Sequence, residues 1–376
     1  MSLSFMLAGG GTGGHVYPLI AVADAIRQSD PNHEILFVGT RRGLEVKAVP
    51  EKGYEIEFLD IKPIRGMGAL GALRGAAKAA MAMPDSARLI RNRKPNIVLS
   101  VGGYAAGPVT LAAWASGVPT ALLEPNSEMG LANLAIAAVV DRAYTAFEST
   151  ERHFSQSRVL RAGVPLRPGF AAKPWVEHEG PLRLLVLGGS QGAAAINEVV
   201  PKLRKLLDFP VEVRHQCGRA HLAHVQELYA EQDQSGLSVE PFIDDMPAAL
   251  AWSDIVISRS GASAIGEICA VGRASILIPF PFAAGNHQAK NAQAVAAEGA
   301  AMVVDQKLAT AEHLRDQIIG LARQKSHLEQ MCRAAQLLGR PNAAMSIVTD
   351  MIALAKSNSS VDRKGASRSL EHKVEA

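Results

Sequence analysis

Short apolar runs alternate with longer amphipathic stretches along most of the chain. The short runs are rich in β-branched residues and continuously apolar, which is typical of strands buried on both faces of a parallel sheet. The longer stretches repeat their apolar residues at helical spacing. The pattern therefore predicts an α/β fold with strands at residues 4–8, 34–38, 55–59, 97–101, 120–123, 183–187, 211–216, 237–240, 255–258, 275–278 and 302–304.

Two parts of the chain open in the same way. Residues 4–8 and 183–187 each run into a glycine-rich turn and then into a helix pattern, the order that opens a doubly wound domain. A segment containing proline and glycine, 163–181, is the best candidate linker. We therefore predict two Rossmann-like doubly wound parallel-sheet domains facing a cleft. Their predicted extents are 1–163 and 164–340, followed by a helix returning to the first domain, 341–356, and a disordered tail, 357–376.

Composition adds mainly exclusions. The chain is 48% hydrophobic and 20% charged, as in ordinary globular proteins. Its three cysteines lie far apart, which argues against a disulfide framework and against a zinc knuckle. No apolar run is long enough to predict a membrane span, and no signal-peptide pattern opens the chain. We expect a reduced cytoplasmic protein that needs no metal and no other cofactor.

The charge is distributed unevenly. The whole chain has 39 basic and 36 acidic residues, but residues 61–95 contain eight basic residues against the single Asp85, a net +7. Apolar residues such as Met81 and Met83 are interleaved with these charges. A local excess of this size points to an anionic partner. The alternative is that these residues form a solvent-exposed helix face without a partner, which is the usual role of a run of charged residues.

The first glycine loop resembles an anion-binding turn. Residues 9–14 follow the G-x-G-x-x-G spacing after a strand and before a helix, where backbone N–H groups can approach an anion. A dinucleotide site would need an acid at the end of the second strand, and Arg41 and Arg42 stand there instead. A P-loop is excluded because His15 follows the last glycine. Two further loops, 102–107 and 188–192, suggest a diphosphate held between the domains and a second anionic ligand beside it.

Four motifs, in this order along the chain, resemble those of one family: Gly10-Gly11-Thr12-Gly13-Gly14-His15, Gly102-Gly103-Tyr104, Gly188-Gly189-Ser190-Gln191-Gly192, and Ser260-Gly261-Ala262 with Glu267. They are similar to the motifs of the MurG family, peptidoglycan N-acetylglucosaminyltransferases with two Rossmann domains (GT-B). The resemblance extends over residues 3–355. It implies an inverting enzyme that moves N-acetylglucosamine from UDP-N-acetylglucosamine to the C4 hydroxyl of undecaprenyl-pyrophosphoryl-N-acetylmuramyl-pentapeptide, converting lipid I to lipid II.

The resemblance also implies partners and site residues. A lipid-linked acceptor favours an anionic membrane surface as the partner of residues 61–95, at the cytoplasmic face of the cell membrane, and we expect no nucleic acid. The implied acceptor-diphosphate residues are Gly11, Gly13, Gly102, Gly103 and Tyr104. The implied donor residues are Thr12, Gly13, Gly14, Asn126, Arg167, Ser190, Gln191, Ile243, Ala262, Glu267, His287 and Gln288.

Some of these residues have more specific expected roles. Glu267 would accept both ribose hydroxyls, the main chain of Ile243 would meet the uracil ring, and Asn126 would face the donor sugar. His287 stands where the family often has glutamine. The segment that contains Asn291 resembles the one that meets the sugar hydroxyls of the donor, and the alternative for Asn291 is that it caps or packs locally. Asp245 precedes Met-Pro and is interpreted as a helix N-cap rather than as part of a metal pair.

The catalytic base has two candidates. His15 begins a helix beside the first glycine loop, and histidine is the commonest general base for an attacking hydroxyl. A helix N-terminus disfavours imidazolium, however, so His15 could instead hydrogen-bond a phosphate or the acceptor. Glu124, which is expected to face the cleft, is the rival.

Three other functions stay open at this stage. One is a glycolipid synthase of the same superfamily that uses another sugar and a diacylglycerol-type acceptor. A second is an NADP-dependent oxidoreductase, suggested by loop 9–14 with Arg41 and Arg42. A third is a membrane-bound scaffold without catalysis, suggested by residues 61–95 alone.

Overall fold

The structure, a computed structural model, describes residues 2–61, 69–189 and 192–374; for 69–80 and 359–374 it describes the backbone alone. The chain divides into two units, each with its own parallel sheet. Unit 1 comprises Met1–Pro125, Met129–Arg167 and Asn342–Ala376. Unit 2 comprises Asn126–Glu128 and Pro168–Pro341.

Strands and helices alternate through unit 1. Its elements in chain order are β1 (Ser4–Ala8), α1 (Gly13–Ser29), β2 (Glu34–Gly39), α2 (Glu45–Glu51), β3 (Glu55–Phe58), α3 (Ala69–Arg93), β4 (Ile97–Ser100), α4 (Ala106–Ala115), β5 (Thr120–Glu124), α5 (Leu131–Ile136), β6 (Arg142–Thr145), two 3₁₀ turns (Glu148–His153 and Gln156–Arg158) and β7 (Val159–Leu160).

The sheet of unit 1 explains why its strands are continuously apolar. The strand order is β3-β2-β1-β4-β5-β6-β7, and every described pair is parallel. Along β1, Phe5 and Leu7 belong to one hydrophobic cluster, whereas Met6 and Ala8 belong to a second. Both faces of the strand are therefore covered, and each buried large side chain contributes about 1.5–3 kcal/mol to folding.

Unit 2 repeats the alternation with six strands. Its elements are β8 (Leu182–Leu187), α6 (Ala194–Lys205), β9 (Val211–Gln216), a 3₁₀ turn (Arg219–His221), α7 (Leu222–Tyr229), β10 (Leu237–Glu240), α8 (Met246–Trp252), β11 (Ile255–Ser258), α9 (Ala262–Val271), β12 (Ala274–Leu277), a 3₁₀ turn (Ala284–Asn286), α10 (His287–Ala297), β13 (Ala301–Val303), α11 (Ala311–Arg323) and α12 (Lys325–Leu338). The strand order is β10-β9-β8-β11-β12-β13, again with parallel pairs. The predicted class, α/β with two doubly wound parallel sheets, is confirmed.

The last helix, α13 (Ala343–Val374), belongs to unit 1. Ile347, Val348 and Met351 on this helix are fully buried in the same cluster as α1. The boundary predicted after residue 163 lies near Arg167, where the first long stretch of unit 1 ends. Side chains beyond residue 358 lie outside the described residues, so the disordered tail at 357–376 stays a prediction.

The N-cap of α8, the cysteines and the edge strands of unit 1 can each be compared with the sequence-based expectations. Asp245 is the N-cap of α8, and its side chain accepts a hydrogen bond from the Ala248 N–H at 3.0 Å, which confirms the interpretation made from the sequence. All three cysteines are buried and unpaired, which fits the absence of a disulfide pattern in their spacing. The strands β6 and β7 were not predicted, and they lie at the edge of the sheet next to β5.

Candidate functional site

The strand order of unit 1 brings its two glycine loops together. The order reverses between β1 and β4, and ligands of doubly wound sheets bind at the carboxyl ends of the strands at such a switch point. The first glycine loop follows β1 and the second follows β4. Glu124 is the last residue of β5, the next strand along. Residues 9–14, 102–103 and 124 are therefore at the same edge of one sheet.

The two loops are in direct backbone contact, which only glycine permits. Gly103 has a φ of +89°, and a Cβ there would lie 2.8 Å from the Gly10 carbonyl oxygen. Gly102 has a φ of +102°, and a Cβ there would lie 3.4 Å from His15 Nε2. Side chains at these two positions would be strained and would close the space beside His15.

A buried carboxylate accepts a hydrogen bond from the first glycine loop. Glu45, at the start of α2, is 1% exposed. It accepts hydrogen bonds from the Gly11 N–H at 2.8 Å and from both the N–H and the hydroxyl of Thr40 at 3.1 Å. Because the Gly11 N–H already donates to Glu45, an anion at this loop would have to use other N–H groups. The N-terminus of α1, with no acidic residue in its first turn, offers such groups.

His15 lies in the first turn of α1, partly buried. Its Nδ1 is 3.3 Å from the Gly10 carbonyl oxygen. That contact favours the tautomer with the proton on Nδ1, which assigns the basic lone pair to Nε2. Nε2 is the atom that faces Gly102. The ring is therefore oriented with a proton acceptor towards the second glycine loop.

Glu124, which was expected to face the cleft, is 1% exposed. Its Oε2 accepts a hydrogen bond from Asn133 Nδ2 at 2.8 Å and lies 3.3 Å from the Gly130 N–H. The reason is tertiary: α5 packs over the end of β5 and brings a buried amide to the carboxylate. Glu124 is thus bonded to Asn133 and Gly130, whereas Nε2 of His15 faces the second glycine loop.

Asn133 is a further residue of this edge that the sequence patterns did not reveal. It is 2% exposed, and its Oδ1 has no hydrogen-bond partner among the described residues. The same Oδ1 would be 3.2 Å from a Cβ at Gly102, so it points at the second glycine loop. A buried acceptor without a donor is costly, and a ligand hydroxyl or N–H would satisfy it. An Asn two residues inside a short helix carries no sequence signal for this role.

In unit 2 the predicted donor residues also follow strands that end at one edge. The strand order reverses between β8 and β11. Ser190 and Gln191 follow β8 but lie outside the described residues. Ala262 is the first residue of α9 after β11, Ile243 follows β10, Glu267 lies on α9, and His287 and Gln288 lie on α10. Asn126, another predicted donor residue, belongs to this unit through the segment Asn126–Glu128.

A buried polar network joins α6, β9 and α7. His215 is fully buried; its Nε2 donates to Asn197 Oδ1 at 3.1 Å, and its Nδ1 accepts from the Tyr229 hydroxyl at 3.1 Å. Asn197 Nδ2 in turn donates to the Cys217 carbonyl oxygen at 2.9 Å. Burial lowers the pKa of His215 to about 4, so the ring is neutral at pH 7. At Gly188 a Cβ would lie 2.9 Å from the Ala193 N–H nitrogen, so only glycine allows this turn.

The main chain expected to meet a uracil ring is already partly engaged. Ile243 is 1% exposed, and its N–H donates to Gln216 Oε1 at 3.1 Å. Gln216 is the last residue of β9 and is itself 3% exposed. A base contact with Ile243 would therefore use its carbonyl group unless the glutamine turned away. Glu267 is half-buried on α9, one turn and a half beyond the helix start at Ala262.

The α10 segment is more constrained than its sequence indicates. Gln288 Oε1 accepts from the Phe280 N–H at 2.9 Å, and His287 Nδ1 is 2.7 Å from the Ala284 carbonyl oxygen. The alternative that Asn291 caps or packs locally is wrong. Its amide bonds to Asn126 and Ser127, residues 165 and 164 positions away in the chain.

Three predicted site residues are exposed to solvent. Thr12 is exposed at the N-cap of α1, Tyr104 is 43% exposed beside the second glycine loop, and Arg167 is exposed at the end of a stretch of unit 1. The roles of all predicted site residues remain predictions. Within the described part of the chain, no cluster of three or more His, Cys, Asp or Glu side chains could hold a metal ion. No helix described there is long and apolar enough to span a membrane.

Comparisons with known proteins agree with this architecture. The profile of the glycosyltransferase family 28 N-terminal domain matches residues 5–145, and that of the family 28 C-terminal domain matches residues 183–347. The chain is 48% identical to the UDP-N-acetylglucosamine–N-acetylmuramyl-(pentapeptide) pyrophosphoryl-undecaprenol N-acetylglucosamine transferase of Sorangium cellulosum, over 94% of this chain and 89% of the relative. It is 41% identical to the protein of the same description from Anaeromyxobacter dehalogenans, over 92% and 91% of the two chains.

A solved structure gives the same answer. The crystal structure of Acinetobacter baumannii MurG superposes with a TM-score of 0.78 at 30% identity, covering 94% of this chain and all of that one. Sequence identity, the paired domain profiles and the two doubly wound sheets are thus mutually consistent. The chain belongs to the MurG family of two-domain (GT-B) glycosyltransferases, family 28.

Proposed function

We propose that the protein is an inverting glycosyltransferase of peptidoglycan synthesis. It transfers N-acetylglucosamine from UDP-N-acetylglucosamine to the C4 hydroxyl of undecaprenyl-pyrophosphoryl-N-acetylmuramyl-pentapeptide, forming a β-1,4 bond and releasing UDP. The observation that supports this most directly is that each unit has a glycine-rich turn and a helix N-terminus at its switch point. Such a turn suits a diphosphate, and both substrates of this reaction carry one. The relatives from Sorangium cellulosum and Anaeromyxobacter dehalogenans are named for the same transfer.

The loops of each unit indicate which substrate that unit binds. Unit 2 holds the donor: the N-terminus of α9 at Ala262 faces the diphosphate, Glu267 accepts the ribose hydroxyls, and Ile243 meets the base. Ser190 and Gln191 belong to the same donor set. Unit 1 holds the acceptor diphosphate through the backbone of its two glycine loops. Oriented N–H groups at helix N-termini stabilise the charge that develops on the departing UDP.

The chemical step is a single displacement at the anomeric carbon. His15 Nε2 takes the proton of the acceptor C4 hydroxyl as the new C–O bond forms and the bond to the UDP oxygen breaks. The Nδ1 contact with the Gly10 carbonyl assigns the proton acceptor to Nε2. Asn133 Oδ1, directed at Gly102, can accept a hydrogen bond from the same sugar.

We infer that unit 1 contacts an anionic membrane surface. Two large apolar side chains, Met81 on α3 and Trp114 on α4, are 79% and 53% exposed, and α3 packs against α4. They add apolar area to the basic stretch 61–95. Part of that charge is used within the fold, because Arg93 pairs with Glu55 and Glu57. At about 1 kcal/mol per basic residue near an anionic surface, the rest supports reversible peripheral binding.

The test is transfer of labelled N-acetylglucosamine from its UDP donor to a short-chain analogue of the lipid-linked muramyl-pentapeptide. Product formation with UDP-N-acetylglucosamine, and none with UDP-galactose, supports the proposal. If the donor binds but no product forms, the acceptor is another glycolipid. If UDP-N-acetylglucosamine does not bind at all, the proposal fails.

A further inference from the structure

One buried amide joins three separate segments of unit 2. Asn291, in the second turn of α10, is fully buried. Its Oδ1 accepts from the Ser127 N–H at 2.8 Å. Its Nδ2 donates to Asn126 Oδ1 at 3.2 Å and to the Ser260 carbonyl oxygen at 3.2 Å. The amide thus ties α10 to the segment Asn126–Glu128 and to the turn before α9.

Both donors of this side chain are used inside the protein, and its oxygen also accepts a bond there. An amide has two N–H donors, which here donate to Asn126 and Ser260, and one oxygen, which accepts from Ser127. Since Asn291 is also inaccessible, it cannot contact a ligand itself. Aspartate would have no N–H for Asn126 and Ser260, and an apolar side chain would remove the bonds that Asn291 makes to the Ser127 N–H and to the Ser260 carbonyl. The position therefore requires an amide for a reason internal to the fold.

A second set of bonds completes the same framework. The Ser260 hydroxyl donates to the Gln288 carbonyl oxygen at 2.8 Å, and Gln288 Oε1 accepts from the Phe280 N–H. The exposed pair between Lys290 and Glu128, 2.9 Å apart, adds little because solvent screens it. The loops that follow β11 and β12 and the three-residue segment are thus held in one arrangement, with Asn291 at its centre.

We propose that Asn291 is a positioning residue for the sugar of the bound nucleotide sugar. Asn291 acts through Asn126. Because Asn291 Nδ2 donates to Asn126 Oδ1, it fixes the orientation of the Asn126 amide and therefore the direction in which Asn126 Nδ2 donates. A sugar hydroxyl or the N-acetyl carbonyl oxygen is a suitable acceptor for that group. The inference rests on the proposed donor site. It separates recognition of the sugar, which depends on Asn291, from recognition of the uridine diphosphate, which depends on residues after β8, β10 and β11.

The experiment compares the affinities of the full chain for UDP-N-acetylglucosamine and for UDP by calorimetric titration. For Asn291→Ala we expect the Kd of UDP-N-acetylglucosamine to rise about tenfold or more, the size of one lost hydrogen bond to a positioned group. The Kd of UDP should stay within about twofold. Retained UDP binding also demonstrates that unit 2 of the variant is folded.

Asp254→Asn is the matched control. Asp254 is 3% exposed in the same unit and also joins distant segments, since it accepts from Trp175 Nε1 at 2.7 Å and from the Arg183 N–H at 2.8 Å. It lies before β11, at the amino edge of the sheet. Its replacement should leave both Kd values nearly unchanged, whatever it does to stability.

A double-mutant cycle with Asn126→Ala tests the route of action. If Asn291 acts through Asn126, the double variant should lose no more affinity for the nucleotide sugar than either single variant. Additive losses, or an equal loss of UDP and UDP-N-acetylglucosamine binding, would overturn the inference. If Asn291→Ala loses UDP binding, Asn291→Ser replaces it, and loss of UDP binding there too would also count against the proposal. A wild-type protein that binds neither ligand refutes the proposed function instead.

Discussion

Removal of the buried carboxylate of Glu45 should destabilise the first glycine loop and the unit that contains it. In Glu45→Ala, the N–H groups of Gly11 and Thr40 and the Thr40 hydroxyl lose their acceptor. The hydroxyl can rotate to another partner, but the two backbone N–H groups cannot. At about 1–3 kcal/mol for each of the two buried N–H groups left unpaired, the free energy of unfolding of unit 1 should fall by about 2–6 kcal/mol.

Glu45→Gln should lower the free energy of unfolding of unit 1 by less than Glu45→Ala does. An amide keeps one oxygen, which can serve Thr40, but its NH₂ group then faces the Gly11 N–H, donor against donor. One lost bond predicts about 1–3 kcal/mol. Because the Gly11 loop is the proposed acceptor site, the KM for the lipid-linked acceptor should rise while the affinity for UDP stays unchanged.

Hydrogen exchange measured by mass spectrometry reads the two units separately, which a single unfolding curve cannot do for a two-unit chain. Peptides from β1 and β2 should lose protection in both Glu45 variants, and peptides from unit 2 should not. Glu51→Ala is the control, since Glu51 is exposed on the same helix and pairs weakly with Lys47. Equal effects of Glu45→Ala and Glu51→Ala on unit 1 would refute the reasoning.

Three further outcomes follow from the site and the surface. His15→Ala should reduce kcat by about 10²–10⁴ with donor affinity intact, and a loss below tenfold would remove the base role. His215 has a folded pKa of about 4, below its unfolded value near 6.5, so its contribution is complete above pH 6.5. As pH falls from 6.5 to 4 the unfolded chain takes up the proton first, and unit 2 should lose about 3 kcal/mol, a slope that His215→Gln should abolish in pH-dependent unfolding. Trp114→Ser should weaken sedimentation with anionic vesicles severalfold, without changing UDP binding; unchanged sedimentation would exclude this surface as the membrane contact.

Most of the fold was predictable because its strands are locally distinctive. Every strand predicted from a continuous apolar run is present in the structure, with ends that differ by a residue or so. The missed strands, Arg142–Thr145 and Val159–Leu160, are short, and the first opens with a charged residue. Tyr144 in β6 is fully buried, but its burial depends on the neighbouring β5 and on Asp350, whose carboxylate accepts from its hydroxyl at 2.9 Å. A run of two to four residues has too little pattern to indicate this.

The chain by itself determined the class of fold, the glycine turns and the family. Those features are local: an apolar run, a turn that tolerates only glycine, and a helix start are each encoded within a few residues. Tertiary structure decided which polar groups support the site. Glu45 reaches Gly11 across 34 residues, and Asn291 reaches Asn126 across 165. A hydrogen bond between groups so far apart in sequence forms only when the strands have assembled into sheets, so no local sequence pattern can predict it.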